Sequence, residues 1–455
     1  MDNRSWPERI DFDRRHIWHP FTQMKEHETA PPLAVVGGSG VDLVLADGRT
    51  IFDGTASWWT SLHGHCPPRL VAALARQAAA LDHAMFAGFT HAPAIDLTAR
   101  LTERLPKALS RLFFSDNGST SVEVALKMTF QAAFQRGERQ RTKIGALRGA
   151  YHGDTLGAVG VGELENFMTS VFAPLLLRCE RAEVPSDPRR LVTGDRDGHD
   201  AEAHARIESA ARALELYFDT CGAQLAAFVC EPLVQGAGGM FMWPPELLRT
   251  LRAQCTAHGV SLIFDEVMTG FGRTGTFLAS EQAGVVPDVL CLSKMLTGGL
   301  LPLAVTCATD ALFDDFWGEP GDGRAFLHGH SYTANPIACA VAAESLALFE
   351  ETRVLEHAAA LATTLRAAWR TLAAHPALRD ARTLGAIAAA RLVDPRTGHP
   401  YSASQREGLA LHLRALDEGL LVRPIGDCVY LVPPLTAPLD RVDAAVAALG
   451  RALPS

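Results

Sequence analysis

Residues 260–275 read VSLIFDEVMTGFGRTG, and residues 288–299 read DVLCLSKMLTGG. Each carries a short, almost wholly apolar run that breaks at polar residues, Asp265-Glu266 in the first and Ser293-Lys294, ahead of two glycines, in the second. A run with no polar face has to be covered on both sides, which as a strand places it inside a largely parallel sheet. LAAFVCEPL (225–233) is a third run of this kind, and the helix-spaced PELLRTLRAQCTAHG (245–259) separates it from the first. Working back, KIGAL (143–147) and RLFFS (111–115) read as strands, with helices in VEVALKMTFQAAFQRG (122–137) and RLVAALARQAAALDHA (69–84). Apolar strands alternating with helices predict an α/β fold around a large, mostly parallel sheet. Ligands of such sheets sit beyond the carboxyl ends of the strands, so polar residues at those ends are the candidates for function.

Outside this core, residues 1–60 read as an aromatic-rich arm with short strands belonging to a smaller domain. Within it VDLVLADGRTIFDG (41–54) has the form of a hairpin about an Asp-Gly turn. Residues 61–335 are expected to form the large domain and 336–455 a C-terminal small α/β domain, entered through a long helix or helix pair at 336–372. The net charge is 42 − 51 = −9 with no block of one sign, which argues against a nucleic-acid partner. The charged opening MDNRSWPERIDFDRR lacks an apolar h-region, and no stretch reaches the ~18 apolar residues of a membrane span, so no membrane association is expected. Nine cysteines (66, 179, 221, 230, 255, 291, 307, 339 and 428) form no C-x-x-C pair, a spacing that fits reduced, buried thiols in a cytoplasmic protein.

Four groups at strand ends bear on chemistry, and each has a plainer reading. Asp265 could be a cap or surface carboxylate, and Lys294 an ordinary solvated lysine. In LFFSDNGSTSVEVALKM (112–128) a strand turns into a helix whose first turn offers the amides of Gly118, Ser119 and Thr120, an anion site by its dipole and free N–H groups. The plainer reading there is capping, with Thr120 and Glu123 as a capping box. In GAYHGDT (149–155), Tyr151 and His152 stand between glycines, where an aromatic is usually core. Together the four match what pyridoxal 5'-phosphate requires: a lysine made nucleophilic by burial to hold its aldehyde as a Schiff base, a carboxylate for its pyridine nitrogen, an anion hole, and an aromatic on a ring face. The 294 − 265 = 29 residues between Lys294 and Asp265 allow one crossover between neighbouring parallel strands.

The motifs FDEVMTGFGRTG, LSKMLTGG, EPLVQGAGG, YHGDT and HGHSYTANP resemble class III, fold type I aminotransferases over nearly the whole chain. The resemblance implies a pyridoxal-phosphate enzyme with Lys294 as the catalytic lysine. Gly118, Ser119 and Asp265 would bind the cofactor, and Tyr151 would contact both cofactor and substrate. His330 and Ser331 would reach the phosphate of the other subunit, so a homodimer is implied. HIWHPFTQM (16–24), ASWWTSLHGH (56–65), HAMFAGFTHAPAI (83–95) and VRPIGDCVYLVPP (422–434) are similar to the branch that transfers an amino group from S-adenosylmethionine to 8-amino-7-oxononanoate in biotin biosynthesis. On that likeness Trp58, Gly329 and Arg423 would contact substrate, Arg423 through a bidentate grip on a carboxylate; its plainer reading is a solvated arginine before Pro424.

Two departures from the branch stand out: Phe21 where many members carry tyrosine, and His330-Ser331 where many carry Pro-Thr. PFTQM and HGHSYT are also similar to members that use lysine as donor, whereas the Trp58-Trp59 pair favours S-adenosylmethionine. Rival expectations are another class III enzyme acting on ω-amino acids or diamines, and a catalytically silent cofactor binder. His63-x-His65 and His328-x-His330 lack further ligands nearby, so no metal is expected. GFGRTG (270–275) matches G-x-G-x-x-G but opens no clear helix, and reads as tight turns near the cofactor instead of a dinucleotide loop.

Overall fold

The computed structural model describes residues 4–163, 171–183 and 201–455. Part of the irregular stretch after KIGAL lies outside the described residues. Near the start, β1 (Val35–Ser39), β2 (Asp42–Leu45) and β3 (Thr50–Asp53) run antiparallel, and the hairpin expected about the Asp-Gly turn is β2–β3.

The central sheet comprises β4 (Arg111–Ser115), β5 (Lys143–Leu147), β6 (Cys179–Ala182), β7 (Leu225–Cys230), β10 (Ser261–Asp265), β11 (Val289–Leu292) and β12 (Ala304–Ala308). A two-stranded hairpin, β8 (Val234–Gln235) and β9 (Phe241–Met242), follows β7. The sheet order is β4-β12-β11-β10-β7-β5-β6. The pairings among β11, β10, β7, β5 and β6 are parallel, while β12 runs antiparallel to both β11 and β4. This reversed strand is absent from the sequence reading: LPLAVTCATD follows β11 after a short turn with no crossover helix to signal it.

The apolar runs are covered on both faces, as their composition requires. On β10, Leu262 and Phe264 join the core cluster that contains the helices Ala92–Arg104 and Pro336–Glu351, whereas Ile263 joins the one beneath the helix Gly118–Gln135. On β11, Leu290 and Leu292 face the first cluster, Val289 and Cys291 the second. That two-residue alternation is the pleat itself, and each fully buried side chain of this size contributes roughly 1.5–3 kcal/mol.

The expected helical stretch at 336–372 is a pair, Pro336–Glu351 and Val354–Leu372, turned at Arg353 in a left-handed conformation. Beyond it lie β13 (Leu378–Leu384), β14 (Ile387–Leu392), β15 (Leu420–Leu421) and β16 (Cys428–Leu431). β13, β14 and β16 form an antiparallel sheet, while β15 joins β3 in parallel, so the two ends of the chain share one sheet. All nine cysteines are free; Cys66 is exposed and Cys179 half-buried, and the other seven are buried. Among the described residues no helix is long and apolar enough to cross a membrane.

One buried arginine ties the C-terminal sheet to the β8–β9 hairpin that follows β7. At a bulge in β13, Arg382 donates through Nε to the Met240 carbonyl at 2.8 Å, through Nη1 to that of Asp380 at 2.7 Å, and through Nη2 to that of Gly239. Removing the guanidinium strands these acceptors in a dry interface, at a cost on the order of 3 kcal/mol. Arg382→Ala is expected to lower the urea midpoint of unfolding clearly; an unchanged midpoint would show that water replaces the guanidinium without loss.

Candidate active site

β10 and β11 are adjacent and parallel, with Asp265 opposite Cys291, so both release their charged residues at the same edge of the sheet. Asp265 is the last residue of β10 and is buried. Its Oδ2 accepts from Nδ1 of His152 at 2.8 Å, and its Oδ1 from the Val267 amide at 3.0 Å. Each oxygen keeps a further lone pair free for a ligand. Burial works against a charge on His152, but the bond and charge of Asp265 prevail and raise its pKa. Nε2 of His152 is buried with no partner among the described residues.

The chain has only five lysines, at 25, 107, 127, 143 and 294. Lys294 follows β11 in a left-handed conformation, φ 49°, a backbone state that costs a non-glycine residue roughly 1–2 kcal/mol. It makes no hydrogen bond or ion pair among the described residues; its Nζ lies 4.6 Å from the centre of the Trp59 ring. Enclosure by protein lowers its pKa, although the negative charges of Asp265 and Glu231 pull the other way. A larger share of neutral, nucleophilic amine is the result.

Glu266, next to Asp265, does different work. Its carboxylate accepts from the amides of Ala279 at 2.6 Å and Ser280 at 2.9 Å, fixing the crossover between β10 and β11, and burial pushes its pKa up to about 7. Glu231, just past β7, is a residue to which the sequence reading gave no role. It is buried and accepts from the amide of Tyr151 at 3.0 Å and of Gly236 at 2.8 Å, with burial again pushing its pKa up to about 7. A carboxylate directly after a fully apolar strand was the signal available. Tyr151 itself is half-buried, and burial, followed by the charge of Asp154, raises its pKa.

The helix Gly118–Gln135 begins beside this edge. Asn117 is its cap: Asn117 Oδ1 accepts from the Thr120 amide at 3.0 Å, and Thr120 Oγ1 from the Asn117 amide at 3.1 Å. The expected Thr120–Glu123 box is therefore shifted. Glu123 instead accepts from Thr155 Oγ1 at 2.5 Å and from the amide of Gly157 at 2.8 Å, holding the start of the helix Leu156–Val161. Ser121 donates back to the Asn117 carbonyl, which leaves the amides of Gly118 and Ser119 without an acceptor among the described residues. A Cβ on Gly118 would stand 2.6 Å from Cγ1 of Val267, so the helix start meets the Asp265 turn with no room for a side chain. Ser119 Oγ lies 2.7 Å from Thr155 Oγ1.

Opposite Lys294 stands an aromatic wall of unusual backbone. Ala56, Ser57, Trp58 and Trp59 have φ of 47°, 48°, 59° and 70°, a left-handed turn closed by bonds from Trp59 N to Thr55 O and from Thr60 N to Ala56 O, each 2.8 Å. The turn aims the two tryptophans apart. Trp59 is buried over Lys294 and meets Tyr430 edge-on at 6.0 Å, whereas the half-open Trp58 faces Phe21 edge-on at 6.1 Å. The Arg423 guanidinium lies 5.7 Å from the Trp58 ring centre; Arg423 is exposed and has no hydrogen bond or ion pair among the described residues. Residues 21, 58 and 423, far apart in sequence, thus form one mouth.

Gly329, His330 and Ser331 are not brought to Lys294 by any described contact within the chain. Their segment lies along the helix Gly118–Gln135, where Lys127 donates to the Leu327 carbonyl at 2.7 Å and the Leu327 amide to Gln131 Oε1 at 3.1 Å. The two His-x-His pairs diverge: His63 faces Ser345 and His65 faces Asp53, while His328 Nδ1 lies 3.1 Å from Lys127 Nζ and His330 Nδ1 accepts from the Tyr332 amide at 3.2 Å. In GFGRTG, Arg273 is fully buried and donates to the carbonyl of Pro433 at 2.7 Å, a tie between segments instead of a nucleotide loop.

The donor set fits pyridoxal phosphate in kind: a deprotonatable lysine, a carboxylate with lone pairs to spare, two unused helix amides, and an unpartnered imidazole nitrogen.

Comparison with known proteins gives the wider frame. A family model described as Aminotransferase class-III matches residues 23–453. An adenosylmethionine-8-amino-7-oxononanoate aminotransferase of Synechococcus elongatus is 46% identical over 92% of this chain and 94% of its own. The crystal structure of the protein of that name from Methanocaldococcus jannaschii superposes with a TM-score of 0.90 at 31% identity, covering 98% of each chain. An amine transaminase from an uncultivated Pseudomonas species, in its PLP-bound form, superposes with a TM-score of 0.86 at 33% identity, covering 96% of this chain and 98% of its own.

Gly118→Ala is expected to push the helix start off Val267 and to weaken retention of pyridoxal phosphate at least tenfold, read by equilibrium dialysis, with the fold kept. Retention equal to that of the native chain would place the phosphate elsewhere.

Proposed function

The chain belongs to the class III aminotransferases, and from that premise we propose that it transfers an amino group from S-adenosylmethionine to 8-amino-7-oxononanoate, giving 7,8-diaminononanoate, with pyridoxal 5'-phosphate as cofactor. The observation that carries the reading is the mouth built by Phe21, Trp58 and Arg423 in front of Lys294. A sulfonium cation and an adenine ring suit aromatic faces, and an unpaired guanidinium beside them suits a carboxylate.

When bound, the cofactor supplies an aldehyde that takes up the amino group and a ring that draws off the electron pair left as a proton departs. The chain's own groups do the rest. Gly118 and Ser119 would hold the phosphate through amides that have no acceptor among the described residues. Asp265, oriented by His152 and the Val267 amide, would hold the pyridine nitrogen and favour its protonated form. Tyr151, fixed through its backbone by Glu231, stands at the cofactor and substrate. Lys294, whose pKa enclosure lowers, would hold the aldehyde, and its Nζ would carry the proton, first off the donor and, in the second half of the cycle, onto the product. Trp59 covers that amine and excludes water.

Gly329, His330 and Ser331 act across a homodimer interface, Gly329 on substrate and the other two on the phosphate of the neighbouring site. Large apolar side chains left open on the single chain support the interface, among them Trp18 (87% exposed), Leu327 (71%) and Tyr332 (65%). The nine free cysteines support a cytoplasmic setting.

Three measurements test the reading. Lys294→Ala is expected to abolish turnover while the protein still binds the cofactor weakly; near-normal turnover would overturn the site. Arg423→Ala should raise the Michaelis constant of a carboxylate-bearing substrate, with a loss of ~2–5 kcal/mol in binding, and leave cofactor absorbance intact. Mixed with the native enzyme in single turnover, S-adenosylmethionine should bleach the cofactor's visible band far faster than lysine at the same concentration. Equal or faster bleaching by lysine would reassign the donor.

A further inference from the structure

Asp53, at the end of β3, is fully buried, and its carboxylate is surrounded by donors. Oδ1 accepts from the Thr55 amide at 3.1 Å and from Thr55 Oγ1 at 3.0 Å; Oδ2 accepts from Ser57 Oγ at 2.7 Å and meets His65 Nε2 at 3.1 Å. Burial alone would push this carboxyl up, but the bonds from His65, Ser57 and Thr55 outweigh it and hold the group below the usual aspartate range. The donors are not scattered over the fold. Thr55 and Ser57 flank the entry to the left-handed turn that carries Trp58 and Trp59, and His65 lies beyond its exit. The backbone between Asp53 and the turn is pinned as well: the Gly54 amide donates to the Leu421 carbonyl at 3.1 Å, and its carbonyl accepts from the Val432 amide at 2.8 Å.

Four successive L-residues at positive φ need something outside the turn to hold them there, since the right-handed alternative is intrinsically lower in energy. Asp53 is the group that reaches both ends of the problem. A right-handed path from Thr55 would carry Ser57 away from Oδ2 and reverse the sides on which Trp58 and Trp59 emerge. One tryptophan would then leave Lys294 and the other would leave Phe21 and Arg423.

We propose that Asp53, with Ser57 and His65 as its partners, is a positioning residue that sets the handedness of the Ala56–Trp59 turn and so decides which tryptophan faces the amine and which faces the donor. It touches neither substrate nor cofactor and acts through the two rings. The inference rests on the proposed reading that Trp58 lines the donor site.

The test uses the full-length enzyme loaded with cofactor. Asp53→Asn keeps shape but removes the charge and one accepting oxygen. It is expected to raise the Michaelis constant for S-adenosylmethionine about tenfold, to lower kcat by a smaller factor as Trp59 shifts off the Lys294 amine, and to alter the near-ultraviolet circular dichroism of the tryptophans. The cofactor's visible band should stay in place. Glycine accepts positive φ without strain, so Ser57→Gly added to Asp53→Asn should recover most of the lost donor affinity and the native aromatic spectrum. Ser57→Ala, which removes one bond only and folds most safely, should shift both readouts in the same direction by a smaller factor. Unchanged Michaelis constant and aromatic spectrum in Asp53→Asn would overturn the proposal, as would a fall in thermal midpoint alone, or a double variant no better than the single one. Trp58→Ala separates this inference from the reading beneath it. Donor affinity unmoved by Trp58→Ala sinks the donor assignment, while an altered aromatic spectrum in Asp53→Asn still supports the tie.

Discussion

A strand covered on both faces cannot carry a charge until it ends, because burying an unpaired ionic group costs more than any contact in the sheet returns. The parallel pairing of β10 with β11 turns that restriction into a site. β10 is buried up to Asp265, its last residue, and β11 up to Leu292; both run the same way, so Asp265 and Lys294 emerge at the same end of the sheet. β7 obeys the same rule one strand over and delivers Glu231 to the same edge. The location of the candidate site follows from where hydrophobic cover stops.

What the charged groups then do is settled by what each one touches. Asp265 and Glu266 are neighbours of the same chemical type, yet one faces an imidazole with lone pairs to spare and the other is consumed by two amides of a turn. Five lysines serve the whole chain, and the one at a strand end is held in a strained conformation beneath a tryptophan. Strain of this kind persists only where the surrounding packing over-determines the backbone, and here β11 before it and the Gly298-Gly299 turn after it leave little freedom.

The sheet was legible in the sequence because apolar runs of strand length, separated by helix-spaced segments, have few other solutions. Asp265, Lys294 and the helix start at Gly118 were legible for the same reason, as the points where those runs break. β12 was not, since an antiparallel return leaves no helix between strands to mark it. Nor was the left-handed turn: ASWWT has no glycine or asparagine to announce positive φ, and the residues that enforce it, Asp53 and His65, read in sequence as a strand end and half of a histidine pair. The capping residue was misplaced by one turn, because Asn117 and Thr120 satisfy each other and free Glu123 to hold a different helix. Sequence reasoning follows local pattern well; it fails where a side chain's partner comes from another segment.

The pairing of β3 with β15 has a bearing on how the protein comes into being. Every strand of the central sheet lies within residues 111–308, so the floor around Asp265 and Lys294 can assemble before residue 420 is made. The mouth cannot close in the same way, for Gly54 waits on Leu421 and Val432, and Trp58 on Arg423. On a ribosome adding about 5–20 residues each second, the early arm with its exposed tryptophans spends many seconds without its partner strand. Such distant pairings are also the slow ones in refolding, since the long intervening loop must be closed before any contact rewards it. On the proposed reading, the groups that would hold the cofactor and those that would recognise the substrate are completed at different times during synthesis, and a chain truncated before residue 420 would present the floor with no mouth above it.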